Sequence, residues 1–111
     1  MLRGEVWWVN FDPSLGGEIQ KTRPAVIVSN NPSNRTLNRL QVVPITSRTE
    51  RIFPCEALIG LNGEQRKAMA DQIATVSKIR LSTRIGVLSA TDLRLVDNAI
   101  RVQLGLNSAD K

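Results

Sequence analysis

Ala25-Val-Ile-Val-Ser29 is the most continuous apolar run in the chain, and Pro24 in front of it decides how it is used. Val26, Ile27 and Val28 are β-branched residues of the kind that fit a buried strand. Pro24 fixes its own φ and biases Arg23 toward extended backbone, so Arg23 stands at the entrance of that strand. Upstream, Gly16-Gly17-Glu18-Ile19-Gln20 reads as a polar loop over the same corner, because glycine reaches backbone conformations closed to other residues. On pattern alone Arg23 has two readings: a solvated charge at a strand end, or a functional cation in a corner suited to chemistry.

Other short strands surround this one. Gly4–Phe11 alternates loosely and is rich in strand formers, and Asp12-Pro13 ends it. Asn30–Arg39 gathers turn residues without an apolar period and reads as a surface loop. Leu40–Thr46 is a third strand in which Pro44, lacking an amide hydrogen, marks an edge or a bulge. Thr46 and Ser47 then fall at a strand end, before the loop Arg48–Arg51. A fourth strand, roughly Cys55–Ile59, leads into a Gly60–Gly63 turn that closes a hairpin. Glu64–Lys67 is too short and polar to assign, while Ala68–Val76 and Ile85–Leu88 read as two further strands. In the tail, Ser89-Ala-Thr-Asp92 matches a capping box, and Leu93, Val96, Ile100 and Leu104 recur at helical spacing. The expected fold is mainly β: a small antiparallel β-barrel with a C-terminal α-helix against it.

With 111 residues, 41% hydrophobic and 23% charged, residues 1–111 read as one globular domain. No segment approaches the roughly 20 apolar residues of a membrane span, and the start resembles no signal peptide, so a cytoplasmic location is expected. A single cysteine, Cys55, allows no internal disulfide, and the absence of histidine removes an ordinary zinc site and the usual activator of a thiolate. Cys55 reads as a small buried hydrophobe. The net charge is +5, and it is concentrated. Residues 19–52 hold Lys21, Arg23, Arg35, Arg39, Arg48 and Arg51 against Glu50 alone. That excess fits a polyanionic partner, most simply nucleic acid, or else a solvated face of ordinary strands.

The pieces Arg3-Gly-Glu-Val-Trp7, Asn10-Phe-Asp-Pro13, Gly17-Glu18, Thr22-Arg-Pro-Ala-Val-Ile-Val-Ser-Asn30, Val43-Pro-Ile-Thr-Ser47, Phe53-Pro-Cys-Glu56 and Ala70-Asp-Gln-Ile73 carry a resemblance. In this order and spacing, and over nearly the whole chain, the sequence resembles the MazF/PemK family of toxin endoribonucleases. That resemblance implies an SH3-like barrel, a homodimer, and cleavage of single-stranded RNA without cofactor or metal. It also implies a MazE-like antitoxin whose acidic tail occupies the RNA site. Arg23 and Thr46 match the family's catalytic arginine and threonine, and Glu18 matches a loop acid often implicated.

The chemistry agrees with these residues. RNA supplies its own nucleophile, the 2′-hydroxyl, so the protein need only orient the backbone, stabilise charge on the phosphoryl group and help move protons. Arg23 suits a phosphate clamp, being always charged and able to donate bidentate hydrogen bonds. Thr46 would position the phosphate through its hydroxyl. Glu18 could accept a proton, or pair as a loop charge with Lys21 or Arg23. Lys21, Gln20, Ser47, Arg48 and Arg51 are the expected RNA-binding residues around them. Gly17 stands where the family often has serine, and Ile19 adds apolar bulk, which bears on the choice of RNA sequence. Trp7, Trp8 and Phe53 could stack on bases, although core packing or a dimer interface is the expected use of at least two of them. Toxins similar to CcdB share this barrel and poison DNA gyrase without cutting anything; the Arg23 and Thr46 pair argues against that alternative.

Overall fold

The computed structural model describes residues 1–12 and 21–106. Seven strands run in chain order as β1 (Glu5–Asn10), β2 (Thr22–Ile27), β3 (Arg39–Thr46), β4 (Glu56–Leu61), β5 (Glu64–Met69), β6 (Ala74–Ser77) and β7 (Leu81–Val87). Helix α1 (Asn31–Thr36) joins β2 to β3, and α2 (Ala90–Leu104) follows β7. All pairings are antiparallel. The order across the sheet is β4-β5-β3-β2-β1-β7, with β6 pairing the first half of β3. The sheet curls into a half-barrel: a Cβ added to Gly86 of β7 would touch Leu61 and Asn62 at the tip of the β4–β5 hairpin. The mainly β, barrel-plus-helix expectation is borne out.

Two apolar clusters sandwich β2 and β3. Val26, Val43 and Ile45 join Val6, Ile59 and Leu61 under α2, which contributes Val96 and Ala99. Ala25, Ile27 and Val42 join Val9, Leu40, Val76 and Leu81 in the other cluster. Both faces of the central strands are therefore buried, which is why their sequences are continuous apolar runs and not alternations. Each of these fully buried valines contributes about 2 kcal/mol of transfer free energy.

The β4–β5 turn is Asn62-Gly63, with φ of 52° and 83°, the left-handed pair that matches the twist of a two-residue hairpin. It forces Glu64–Met69 into a strand against β4, although its sequence is too polar to announce one. The run expected at 68–76 is broken by a 3-10 turn at Ala70–Gln72, so β5 ends at Met69 and β6 begins at Ala74.

Four other expectations need correction. Asn30–Arg39 is not a loop but contains α1, capped by Asn30, whose side chain accepts from the Ser33 amide, with proline in the first turn. Its one buried residue is Asn34, so it shows no apolar period. Pro44 lies at neither an outer edge nor a register shift. It falls where β3 changes neighbours, from β6 as far as Val42 to β5 from Ile45, so no partner needs its missing amide hydrogen there. In the capping box, Ser89 does accept from the Asp92 amide, but the Asp92 carboxylate accepts from Gly60 N at 2.9 Å, tying α2 to β4. Cys55 is half-buried, not fully buried.

Candidate active site

The β2–β3 ladder ends at the Ala25–Pro44 pair, and Arg23 on β2 and Thr46 on β3 each lie two residues beyond that pair, at the same end of the ladder. On the outer flanks β1 sets Val9 opposite Arg23 and Trp8 opposite Pro24, while β5 sets Lys67 opposite Thr46. Sheet order thus gathers residues distant in sequence at one corner. A cavity of about 400 Å³ opens there, lined by Trp8, Lys21, Thr22, Arg23, Pro24, Ile45, Thr46, Ser47 and Arg66.

Three of these lining residues are cations, Lys21, Arg23 and Arg66, and among the described residues none is a carboxylate. Like charges at one concave surface raise its potential and favour an anion. Arg23 is half-buried, and its buried Nε meets no acceptor among the described residues. A buried donor left without a partner costs about 1–3 kcal/mol, so this guanidinium is poised for an anionic acceptor. Thr46 is 8% exposed, and its Oγ1 accepts from the Arg48 amide at 3.3 Å. A hydroxyl that accepts one hydrogen bond still has its own proton to donate.

Lys21 takes a φ of 64°, a left-handed conformation unfavourable for a residue with a side chain. Two hydrogen bonds hold it there: its amide donates to Asp12 Oδ1 at 2.8 Å, and its carbonyl accepts from Phe11 N at 2.9 Å. Arg80 braces the same turn by donating to the carbonyls of Asn10 and Asp12.

Of the residues singled out from sequence, Lys21, Arg23, Thr46 and Ser47 meet in the cavity. Glu18 and Gln20 lie outside the described residues. Arg48 contributes its amide to Thr46, while Arg51 sits with its guanidinium 5.5 Å from the centre of the Phe53 ring. Arg35 lies in the last turn of α1 and Arg39 opens β3, both at the opposite end of that strand from Thr46, so the basic excess of residues 19–52 does not form one surface. Of the three aromatics only Trp7 packs against a core cluster; Trp8 and Phe53 are 40% and 48% exposed. Sequence reasoning missed Arg66, whose segment was unassigned; the Asn62-Gly63 hairpin signal, followed through to its return strand, would have found it.

Burial, with the nearby acids Asp71 and Glu56, raises the Cys55 thiol above its ordinary range, which keeps it protonated. Among the described residues no cluster of three acids or thiols is arranged to hold a metal ion.

The family model described as "PemK-like, MazF-like toxin of type II toxin-antitoxin system" matches residues 2–104. Endoribonuclease MazF9 of Mycobacterium tuberculosis is 40% identical over 116 residues, spanning 96% of this chain and 98% of that one. The endoribonuclease toxin MazF of Escherichia coli K12 is 32% identical over 105 residues, 92% of each chain. Among solved structures, a mycobacterial endoribonuclease in complex with its cognate antitoxin superposes with a TM-score of 0.82 at 27% identity, covering 97% of this chain and 98% of that one. MazF of Deinococcus radiodurans gives 0.83 at 26% identity, covering 95% and 96%.

Proposed function

This chain belongs to the PemK-like, MazF-like toxin family of type II toxin-antitoxin systems, and we propose that it is a cytoplasmic endoribonuclease toxin cutting single-stranded RNA, chiefly messenger RNA, without a metal ion. The observation that carries the reading is that Arg23 and Thr46 line one cation-rich cavity with no carboxylate among its described lining residues. Such a wall attracts a phosphodiester and repels a divalent cation.

The reaction assigned to this corner is transesterification. The 2′-hydroxyl oxygen attacks the adjacent phosphorus and loses its proton, the bond to the 5′-oxygen breaks, and that oxygen takes up a proton. The products are a 2′,3′-cyclic phosphate and a 5′-hydroxyl. Arg23 donates to the phosphoryl oxygens as charge builds on them, an effect worth about 3 kcal/mol for one well-placed donor. Thr46 donates a hydrogen bond from its hydroxyl to the same group and fixes its orientation. Glu18 is assigned the proton-accepting role. Lys21, Ser47, Arg48, Arg51 and Gln20 hold the flanking backbone. We further assign a homodimer, which doubles the basic corner into a channel for extended RNA, and a MazE-like antitoxin whose acidic segment competes for it. A gyrase-poisoning role is disfavoured, because the relatives that span the chain are named endoribonucleases.

Incubation with a long single-stranded RNA in excess chelator, followed by end-group analysis, tests this. Undiminished cutting with cyclic phosphate and 5′-hydroxyl ends is expected. Activity lost on chelation and restored by magnesium would overturn it.

A further inference from the structure

The segment between Thr46 and Glu56 has no regular secondary structure and is largely exposed, yet a buried ion pair is placed under it. Lys67 Nζ lies 3.0 Å from Glu56 Oε1, with the two side chains only 11% and 8% exposed. The same Nζ donates to the Arg51 carbonyl at 2.8 Å, and the same Oε1 accepts from the Phe53 amide at 2.8 Å. Both partners of the pair therefore grip the backbone of this loop. A buried Lys–Glu pair is a poor device for stability, because desolvating two charges offsets most of their attraction. Its geometric consequence is larger. Lys67 stands opposite Thr46 across the β3–β5 ladder, so the loop is fastened from beneath at a point level with the Thr46 backbone. At its near end the loop delivers the Arg48 amide to Thr46 Oγ1.

We propose that Lys67 is a positioning residue for Thr46: through Glu56 and the Arg51 carbonyl it sets the loop so that the Arg48 amide occupies one side of the Thr46 hydroxyl and its proton points into the cavity. This rests on the reading of that cavity as an RNA-cleaving site. Lys67 touches no reacting atom.

The test is a double-mutant cycle on cleavage of a short fluorogenic RNA. Lys67→Met, which keeps the bulk and removes the charge and the donors, should lower kcat by about tenfold with KM little changed, since small misplacements near a reacting group have effects of this size or larger. Lys67→Arg should recover much of the rate. In a Thr46→Ala background, adding Lys67→Met should change the rate less than about twofold, because its effect passes through the hydroxyl already removed. An equal loss in both backgrounds, or a loss confined to KM, would overturn the proposal. If Lys67→Met melts below the assay temperature, Glu56→Gln, which keeps an acceptor for the Phe53 amide, replaces it with the same expectation. A wild-type protein that cuts no RNA would overturn the underlying reading and this one with it, whereas active enzyme with additive losses defeats only the role of Lys67.

Discussion

The two ends of β3 are built from similar sequence and do opposite things. Both carry basic and turn-forming residues, Asn30–Arg39 leading into the strand and Thr46–Arg51 leading out of it. At the first end the polar groups close on one another. Ser29 Oγ donates to Asn34 Oδ1 at 2.6 Å and accepts from the Gln41 amide, Asn34 Nδ2 donates to the Ser29 carbonyl, and Lys78 donates to the Asn34 carbonyl. At the second end, Arg23 Nε has no acceptor among the described residues, and Thr46 accepts from a backbone amide with its own proton unassigned. A satisfied polar network fixes structure, whereas donors without acceptors at a concave surface mark where a ligand supplies them.

The largest effect expected from this contrast is on catalysis. Arg23→Ala should lower RNA cleavage by about a hundredfold or more with the melting temperature unchanged or higher, because it removes a donor aimed at the phosphoryl group. Thr46→Ala should be similarly damaging, and Arg39→Ala, at the closed end, should leave the rate alone. A comparable loss in Arg39→Ala would erase the distinction between the ends.

Asn34→Ala should do the reverse. It strands the Ser29 hydroxyl in the interior and should cost about 2 kcal/mol in denaturant unfolding, while kcat per folded molecule holds. A catalytic defect at full stability would show that the closed end also serves the reaction.

The smallest expected effect tests how β5, and with it Arg66, is carried to the open end. Gly63→Ala forces a side chain onto a φ of 83° and should cost about 1 kcal/mol in stability, with open space around the added Cβ. Cleavage at low temperature should be nearly unchanged. No loss of stability would mean that the hairpin does not depend on its left-handed pair.

Legibility in the sequence followed the same division. The strand of Val26 and Ile27, the Asn62-Gly63 hairpin and the Ser89 cap were readable, because each rests on local chemistry that acts within a few residues. Helix α1 was not, since the side chain it buries is Asn34, which bonds Ser29, while the Asn34 carbonyl accepts from Lys78, far along the chain. β5 was hidden for a related reason: Glu64, Gln65 and Arg66 give no strand pattern, and the segment is extended because β4 pairs with it. Arg23 and Thr46 were singled out by the resemblance of their segments to a family's motifs and not by local pattern, but that they share a cavity with Trp8 and Arg66 follows from sheet order, which no local pattern encodes. Counting charge over residues 19–52 merged Arg35 and Arg39 with Arg23, although β3 separates them.

The open end is claimed to hold an RNA phosphate, and the salt dependence of binding reads that directly. The affinity of a cleavage-resistant 2′-deoxy analogue would be measured against salt concentration for wild type, Arg23→Ala and Arg39→Ala. Each phosphate contact on a single strand contributes a slope of about 0.7 in log affinity against log salt. Loss of about one such contact in Arg23→Ala, and none in Arg39→Ala, is the predicted result. Equal slopes for wild type and Arg23→Ala, with Arg39→Ala the one that flattens, would contradict the account.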